Sequence, residues 1–418
     1  MNPVRVRQPF AVLAALLSLA ILGAIAALPF LNEIPSHLRD AHRIAGGQFS
    51  VTGIYRLPIG YSGFLAALTR FLTDAAAVKV ANGLAFAAFA ILAVRYLQAS
   101  GATRPKQAGL FLFAVLLLAL HPYTLLSIVR ANETMLAAAV LMGFMLAISG
   151  PASLGRVAAS GALLGLFIHV RANAISLLAC TAVWLVAETL AARRVSARRA
   201  AVLFALALVA TLATYMAVSA AITGIPSYRP TNGGYNLYAG NNPFSAAEIA
   251  RNQNAEYSLA PALRAAGFPA DVDPKAVSQE QFVQLAGRFA REHPGQVAWL
   301  TARKAVLFVE PRLANADSGA KVLFQCLAVV PFVAALGLIA WSFATRRRWV
   351  DGAMLLMALA YAAPFWVTNS DPRMRFPVDL VLMVRAIALL LRRETGFHSD
   401  TSAASLVDSR PGHRRHYR

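Results

Sequence analysis

The chain has 418 residues, of which 58% are hydrophobic and only 14% are charged, and its formal net charge is +20. So few charges exclude an ordinary soluble domain, in which about 25% of the residues are charged. The positive charge does not indicate nucleic-acid binding, because much of the arginine lies in short clusters between apolar stretches, as in the cytoplasmic loops of membrane proteins.

Apolar stretches recur along the chain, most of them near the length of about 20 residues that crosses a bilayer as a helix. We predict ten transmembrane helices, at residues 10–31, 76–97, 108–127, 133–149, 157–170, 173–191, 200–222, 322–344, 350–368 and 376–391. The first is too long for the apolar part of a signal peptide, so we interpret it as uncleaved. Cys180 and Cys326 both lie inside predicted helices, which argues against a disulfide framework.

Four basic clusters orient these helices, because lysine and arginine accumulate on the cytoplasmic side. They are Arg95/Arg104/Lys106, Arg193/Arg194/Arg198/Arg199, Arg346/Arg347/Arg348 and Arg392/Arg393. A cytoplasmic N-terminus places all four clusters inside. Together with the alanine- and arginine-rich composition, this predicts a multi-pass protein of a bacterial inner membrane.

This topology divides the chain into an N-terminal membrane module at 1–223, an outer segment at 224–320, C-terminal membrane helices at 321–392 and a tail at 393–418. The tail has too little apolar surface to pack, so we expect it to be disordered. Within the first module, the outer loop 32–75 has a polar helical part at 36–45 and an amphipathic part at 60–72, which we expect to lie in the membrane interface. We expect a mainly helical periplasmic structure for the outer segment.

Four ionisable residues lie at the predicted outer ends of membrane helices, where charges are costly and therefore often functional. They are Glu33, Glu133, Arg171 and Arg373. Their placement on one face suits the transfer of a group from a lipid phosphate. Arginine binds phosphate in bidentate geometry, and a carboxylate can take the proton of an attacking hydroxyl.

Each of these residues also has a structural interpretation. Glu33 can be a solvated residue at a helix exit, and Glu133 an acid that favours the start of a helix. Arg171 can extend to lipid headgroups. Arg373 can pair with Asp371. His37, His42 and His169 fit hydrogen-bonded structural roles, since no spacing here matches a zinc site.

Six stretches, in chain order, resemble a known family. They are NEIPSHLRDAHRIAGG, YRLPIGYSGFLAALTRF, LHPYTLLSIVRANETMLAAAV, GALLGLFIHVRANAISLL, NGGYNLYAGNNPF and SDPRMRFPVDLVL. Their order and predicted topology are similar to those of the GT-C integral-membrane glycosyltransferases, the group related to protein O-mannosyltransferases and the lipid A aminoarabinose transferase. The resemblance implies an all-α polytopic membrane protein with a GT-C-like core.

The resemblance implies roles for the acidic residues. The family's general base is usually an aspartate in the first outer loop, where this chain has Glu33, with Asp40 as the alternative. Glu133 corresponds to the family's second acid. Related enzymes differ in metal dependence, so the cofactor stays open, and Glu133 is the ligand we expect if a divalent cation such as Mg²⁺ or Mn²⁺ is bound.

The resemblance also implies contacts to the lipid phosphate from Arg171 and Arg373, and we add Arg56, which precedes the Pro58–Tyr61 turn. The family has Arg-Pro where this chain has Arg171-Ala172. The stretch RPTNGGYNLYAGNNPF supplies candidate substrate-contacting residues: Tyr235, Asn236, Tyr238, Asn241 and Asn242. An alternative is a loop rich in turn-forming residues, with these side chains bonding its own backbone.

The expected function is transfer of a sugar, with inversion, from a polyprenyl-phosphate donor to a lipid, glycan or protein acceptor at the outer leaflet. Membrane lipids are the surrounding partner, and no nucleic acid is expected. A lipid-linked-sugar flippase would instead predict ionisable residues at the membrane midplane and inverted repeats, which the sequence lacks. An O-antigen ligase or polymerase would have a similar architecture but use a diphosphate-linked donor. In a non-catalytic scaffold, the clustering of the four charged residues would be accidental.

Overall fold

The computed structural model of the chain describes helices and the connections between them. The described residues are 35–48, 57–100, 118–190, 195–227, 229–250, 258–309, 319–346, 349–368 and 372–396, with the single residues 23, 27 and 30. Over these residues the predicted all-α architecture is confirmed. The predicted helix at 10–31 lies almost entirely outside them, as do the basic residues Arg104, Lys106, Arg193, Arg194, Arg347 and Arg348.

The described helices are numbered here in chain order. The N-terminal half forms α1 Pro35–Ala45, α2 Ile59–Leu68, α3 Asp74–Ala99, α4 Pro122–Val129, α5 Thr134–Ile148, α6 Leu154–Val170, α7 Leu178–Leu190 and α8 Ala197–Thr223. The C-terminal half forms α9 Gly233–Gly240, α10 Ser245–Ala250, α11 Leu259–Ala265, α12 Gln279–Glu292, α13 Pro294–Val309, α14 Gly319–Arg346, α15 Trp349–Val367 and α16 Phe376–Gly396. Short 3₁₀ helices lie at Ala172–Leu177, Pro274–Ala276 and Pro372–Arg375.

Four of the described helices are long and apolar enough to cross a membrane: α3, α8, the part of α14 from Val322, and α15. α2, α5, α6 and α7 are apolar but shorter. α5 is buried on nearly every side and packs against α3, α6 and α16, so it forms the centre of the bundle. The predicted helices at 133–149, 157–170, 200–222, 322–344, 350–368 and 376–391 therefore correspond to helices, although not all of them have a spanning length.

The predicted unbroken helix at 108–127 is wrong in its described part. His121 has φ −57° and ψ 129°, which is not helical, and α4 begins at Pro122. Proline suits the first position of a helix because it has no N–H to donate there. The hydroxyl of Thr124 donates to the carbonyl of Leu118 at 2.8 Å and closes this break. The predicted helix at 173–191 likewise begins as a 3₁₀ turn before α7.

The predicted amphipathic helix at 60–72 is also different in the structure. α2 ends at Leu68 and is apolar over its length, with Tyr61 and Leu65 buried. It packs against α1 and α6. A Cβ on Gly60 would lie 2.8 Å from the carbonyl oxygen of His169, so only glycine lets the start of α2 approach the end of α6 this closely. This contact places α2 beside the C-terminal end of α6.

α6 and α8 pack closely along their backbones. A Cβ on Gly161 would lie 2.3 Å from the carbonyl oxygen of Ala207, and one on Gly165 would lie 2.5 Å from that of Thr211. The two glycines are four residues apart and therefore share one face of α6. Small residues at this spacing let two membrane helices approach along their backbones. Even with this contact, only 17% of the apolar window of α8 is buried in protein.

The outer segment is mainly helical, as predicted, and has a small core of its own. Tyr235 and Tyr238 of α9 pack on Phe282 of α12, with ring centroids 5.6 and 6.0 Å apart. Leu259 and Leu263 of α11 join the same cluster. α13 extends from this segment to α15 and to the 3₁₀ helix Pro372–Arg375.

Candidate active site

Glu133 lies where the chain turns between α4 and α5. The side-chain amide of Asn82 in α3 donates to the carbonyls of Ser127 and Arg130 at 2.8 and 2.9 Å, which fixes the end of α4. The first turn of α5 is capped by Asn132, whose Oδ1 accepts from the Thr134 N–H at 3.1 Å. Because Asn132 provides the cap, the Glu133 carboxylate is available for other partners.

The Glu133 carboxylate binds two basic side chains from distant parts of the chain. Its Oε1 lies 2.9 Å from an Nη2 of Arg171, the residue that follows α6. Its Oε2 accepts from Nε2 of His37 in α1 at 3.1 Å. His37 and Arg171 are buried, and 18% of the Glu133 side chain is exposed. The ends of α1, α5 and α6 are thus joined by one carboxylate.

These contacts determine the ionisation of Glu133. Burial acts to raise its pKa, but the Arg171 guanidinium and the His37 hydrogen bond outweigh burial and lower the pKa from 4.5 to about 2. Glu133 is therefore a carboxylate throughout the physiological pH range. A group of this pKa is a poor proton acceptor near neutral pH, and in the structure its carboxylate holds the Arg171 guanidinium and the His37 ring.

Arg171 is also fixed on its other side. Its Nη1 lies 3.1 Å from the sulfur and 3.5 Å from the carbonyl oxygen of Met374, in the 3₁₀ helix before α16. Its Nη2 donates to the Thr134 hydroxyl at 3.4 Å. The Tyr361 hydroxyl of α15 donates to the same Met374 carbonyl at 2.9 Å. The guanidinium is therefore held between the start of α5 and the connection from α15 to α16.

A pocket with about 500 Å³ of empty space opens beside this ion pair. One part of its lining is charged and polar, with Arg130, Glu133 and Arg171, and the other part is apolar. The complete lining is Tyr123, Leu126, Ser127, Arg130, Asn132, Glu133, Thr134, Arg171, Met374 and Phe376. Such a pocket can bind an amphiphile that carries an anionic group next to an apolar chain.

Ser62, His37 and Glu133 form a series of contacts similar to that of a serine hydrolase. Nδ1 of His37 lies 3.1 Å from the Ser62 hydroxyl, and Nε2 contacts Glu133. However, only 1% of Ser62 is exposed, so its hydroxyl cannot reach a substrate. The series is therefore an internal support for the carboxylate and not a nucleophilic site.

The structure brings together two of the predicted site residues, Glu133 and Arg171. Asp40 lies on α1, half-buried, three residues after His37 and hence on the same side of that helix. Glu33 and Arg56 lie outside the described residues, and so does the side chain of Arg373, whose backbone belongs to the 3₁₀ helix Pro372–Arg375. The predicted roles of these three residues stay predictions.

The stretch RPTNGGYNLYAGNNPF is not an open loop, because its centre is α9. Tyr235 and Tyr238 are buried in the core of the outer segment. The Asn241 amide donates to the carbonyls of Leu237 and Val367, and the Asn242 amide to those of Tyr238 and Ala239. In the structure these four side chains are thus engaged with the protein itself, and their contact with substrate stays a prediction. Asn236 is half-buried on the same helix.

The described residues do not fit a divalent cation. No group of three or more histidine, cysteine, aspartate or glutamate side chains converges among them. Both oxygens of Glu133 contact cationic or hydrogen-bonding partners, which leaves this carboxylate unsuited to a metal in this arrangement. The prediction that Glu133 is the ligand of any bound metal is not supported.

Two residues of the site were not predicted from the sequence. Arg130 lines the pocket and stands only three residues before Glu133 in VRANE. His37 contacts Glu133 across 96 positions of the chain. The proximity of Arg130 to the acid is a signal that the sequence contains. The sequence indicates less about His37. It shows only that this histidine lies in the same predicted outer loop as Glu33.

The fold and the pocket define an α-helical membrane protein with a buried, charged site at the ends of its helices. No protein-family model matches this sequence, and comparison with curated proteins finds no match either. Among solved structures, the archaeal oligosaccharyltransferase AglB from Archaeoglobus fulgidus, in complex with an inhibitory peptide and a dolichol-phosphate, has a TM-score of 0.49. It is 15% identical, and the match covers 97% of this chain and 52% of AglB, so this chain spans about half its length.

ArnT from Cupriavidus metallidurans, bound to undecaprenyl phosphate, is a second similar structure. It is 17% identical, with a TM-score of 0.37, and the match covers 96% of this chain and 81% of ArnT. AglB and ArnT are both GT-C glycosyltransferases, the class that the sequence resemblance names. At these TM-scores the likeness is partial, and it assigns neither an activity nor a substrate to this chain.

Proposed function

We propose that the chain is a glycosyltransferase that moves a sugar from a polyprenyl-phosphate donor to a glycan, lipid or protein acceptor at the outer face of a bacterial inner membrane. One observation carries this proposal. Glu133 and Arg171, named as candidate site residues from separate stretches, lie 2.9 Å apart in a pocket that also contains Arg130 and an apolar wall.

The charges of the pocket suit a phosphate. Arg130 and Arg171 contribute two positive charges and Glu133 one negative charge, so these three lining residues sum to +1. Glu133 orients Arg171 and limits the net charge, and Arg130 is half-buried at the pocket wall. Arginine is suited to this role because its planar guanidinium matches phosphate oxygens and stays charged at any physiological pH. Arg56 and Arg373 are the further phosphate contacts that the family resemblance supplies.

The apolar part of the pocket suits the lipid chain. Leu126, Phe376 and Met374 line it beside the two arginines. A polyprenyl phosphate has an anionic head joined directly to branched hydrocarbon, so both parts of the lining would be used at once. The ends of α4 and α16 form this wall, and both adjoin apolar helices of the bundle.

The base in this proposal is Glu33 rather than Glu133, whose pKa of about 2 makes it a weak base. Glu33 stands four residues before His37, and four residues of chain span at most about 14 Å. The acceptor hydroxyl gives its proton to the Glu33 carboxylate while its oxygen attacks the anomeric carbon. The bond from that carbon to the phosphate oxygen breaks, its electron pair stays on the phosphate, and the configuration inverts. Asp40 is the alternative base.

The test is release of lipid phosphate by the purified protein in lipid nanodiscs, supplied with a panel of polyprenyl-phosphate sugars and a mixture of candidate acceptors. We expect wild-type protein to release lipid phosphate from at least one donor. A Glu33→Gln variant should lose about a hundredfold or more of the rate, as expected for removal of a general base. Glu280→Gln, which changes an exposed glutamate of α12, is the matched control and should be unaffected.

A second arm examines the cations. Arg130→Gln should raise the KM for the donor by about tenfold or more, because a charge-assisted hydrogen bond to phosphate is lost. Arg264→Gln removes an exposed arginine of the outer segment and should leave KM unchanged. Normal turnover by Glu33→Gln would remove Glu33 as the base, and absence of release from every donor by wild-type protein would contradict the proposed function.

A further inference from the structure

Lys304, in the middle of α13, is a buried lysine outside the pocket. Only 1% of it is exposed. Its Nζ, with three N–H donors, lies within hydrogen-bond distance of four oxygens: Thr368 O at 2.9 Å, Val367 O at 3.1 Å, Gly240 O at 3.2 Å and Asn241 Oδ1 at 3.3 Å. Its partners among the described residues are therefore carbonyl and amide oxygens, and none of them is a carboxylate. A buried ammonium requires such a dense set of acceptors.

The oxygens around Lys304 come from the ends of two different helices. Gly240 ends α9 in the outer segment, and Val367 ends α15 in the membrane module. The last carbonyls of a helix lack partners within the helix and carry partial negative charge. One ammonium therefore caps α9 and α15 together. A Cβ on Gly240 would lie 1.7 Å from the Thr368 carbonyl oxygen, so only glycine permits this contact.

α13 holds the far end of the same connection as well. The Arg375 guanidinium donates through Nη1 to the carbonyls of Phe308 and Val309, at the end of α13. Its Nε binds the Asp379 carboxylate at 2.9 Å. The stretch from Val367 to Arg375, which joins α15 to α16, is therefore attached to α13 through Lys304 at its start and through Arg375 at its end.

This stretch contains Met374, which contacts Arg171 in the pocket. The Met374 carbonyl and sulfur both accept from Nη1 of Arg171. A shift of the connection would therefore move the wall of the pocket and one side of the Arg171 guanidinium, while Glu133 would still hold the other side. Geometry of this kind controls how well a charged ligand is bound.

We propose that Lys304 is a positioning residue that fixes the end of α15 at Val367 and Thr368 relative to α13, whose C-terminal end holds Arg375 and so the neighbouring Met374 against the Arg171 guanidinium. Its effect on catalysis rests on the proposed function. The mechanical coupling between the outer segment and the pocket is independent of the proposed function, because it is inferred from the contacts alone.

The experiment compares backbone hydrogen exchange of the full-length wild-type protein and a Lys304→Ala variant in lipid nanodiscs without substrate. We expect exchange at 368–376, measured on the amides of Thr368 and of Arg373 to Phe376, to become about tenfold faster in the variant, as local opening becomes easier. Added n-propylammonium replaces the missing part of the side chain and should restore slow exchange. n-Propanol, of similar size but uncharged, should not restore it.

Two further variants make the result specific. Lys275→Ala removes an exposed lysine of the same segment and should leave exchange at 368–376 unchanged. Gly240→Ala should reproduce the effect of Lys304→Ala, because it separates α9 from Thr368 without changing any charge. Three results would overturn the inference. Exchange at 368–376 could be unaltered in Lys304→Ala, or it could rise equally throughout the chain. In the third case, n-propanol would restore slow exchange as well as n-propylammonium does.

A kinetic arm links the coupling to the site. With any donor that wild-type protein uses, Lys304→Ala should raise the donor KM by about tenfold, since Arg171 is held less precisely, and n-propylammonium should lower it again. An unchanged KM alongside altered exchange would overturn the positioning role. If wild-type protein uses no donor, the proposed function fails, while the exchange measurement still decides whether the coupling exists.

Discussion

Glu133 is the shared counter-ion of the site. Arg171 and His37 are both buried, and each would be costly to keep in a dry environment without a partner. One carboxylate serves both, and it stands at the first turn of α5, where the helix dipole also favours a negative charge. The acid thus directly precedes α5, a largely buried helix, and its partners converge on it from α1 and from the end of α6.

The pH dependence of stability should reveal this arrangement. The pKa of Glu133 is lowered to about 2 in the folded protein, so the unfolded chain binds the proton more tightly. Its contribution is therefore fully present above about pH 4.5, at about 3 kcal/mol from the size of the shift, and is lost as the pH falls toward 2. We expect the unfolding midpoint of Glu133→Gln to lie well below that of wild type at pH 7.

The measurement is thermal unfolding of both proteins between pH 3 and pH 7. The gap between wild type and Glu133→Gln should narrow steadily below pH 4.5, whereas Glu280→Gln, an exposed control, should follow wild type at every pH. A gap of constant size across the range would show that the ion pairs of Glu133 do not stabilise the fold.

At the scale of the helices, the contact of α6 with α8 depends on two glycines. Gly165→Ala would place a Cβ 2.5 Å from the Thr211 carbonyl, so the helices must separate, at a cost of about 1–3 kcal/mol. Gly155→Ala, in the first turn of the same helix, meets nothing within 4 Å and should be neutral or slightly stabilising. Unfolding midpoints of the two variants in the same detergent test this, and equal midpoints would contradict it.

The positions of most helices could be predicted from the sequence because apolar length is a strong signal. The break at His121 was missed because the residues on both sides of it are apolar, and hydropathy does not register a non-helical φ and ψ. α9 was missed for the opposite reason. GGYNLYAG is rich in turn-forming residues, which favours a loop. In the structure, Gly234 and Gly240 are required by close contacts with the backbone of Gln279 and Thr368. The two tyrosines of α9 are buried in the core of the outer segment. Tertiary packing overrides local propensity here.

The pocket could be predicted only in part. The residue type and the predicted membrane face marked Glu133 and Arg171 as candidate site residues on one side, because charges at helix ends are expensive. Their direct contact at 2.9 Å was not predicted, because hydropathy and residue type do not give side-chain distances. The contacts of His37 and Lys304 could not be predicted from the sequence. Their partners are far away along the chain, 96 positions for His37 and at least 63 positions for Lys304.

At the scale of the whole molecule, the basic clusters predict that the outer segment and the pocket face the periplasm. In a background of Cys180→Ala and Cys326→Ala, an exposed position of the outer segment, Asp271→Cys, should react with a membrane-impermeant maleimide in intact cells. Arg199→Cys, exposed at the start of α8, should react only after the membrane is permeabilised. The reverse pattern would overturn the orientation and, with it, the proposed face of action.

The close contact of α6 and α8 has a consequence for the surrounding bilayer. α8 has 27 residues and is about 40 Å long, whereas the hydrocarbon layer is about 30 Å thick, so α8 must tilt or extend into the headgroups. Most of the surface of α8 is free to contact lipid, and one face of α8 contacts the backbone of α6. A tilt of α8 that is caused by hydrophobic mismatch should therefore move α6 with it. Arg171 directly follows α6, so a change in the acyl-chain length of the host membrane should shift the position of Arg171 in the pocket.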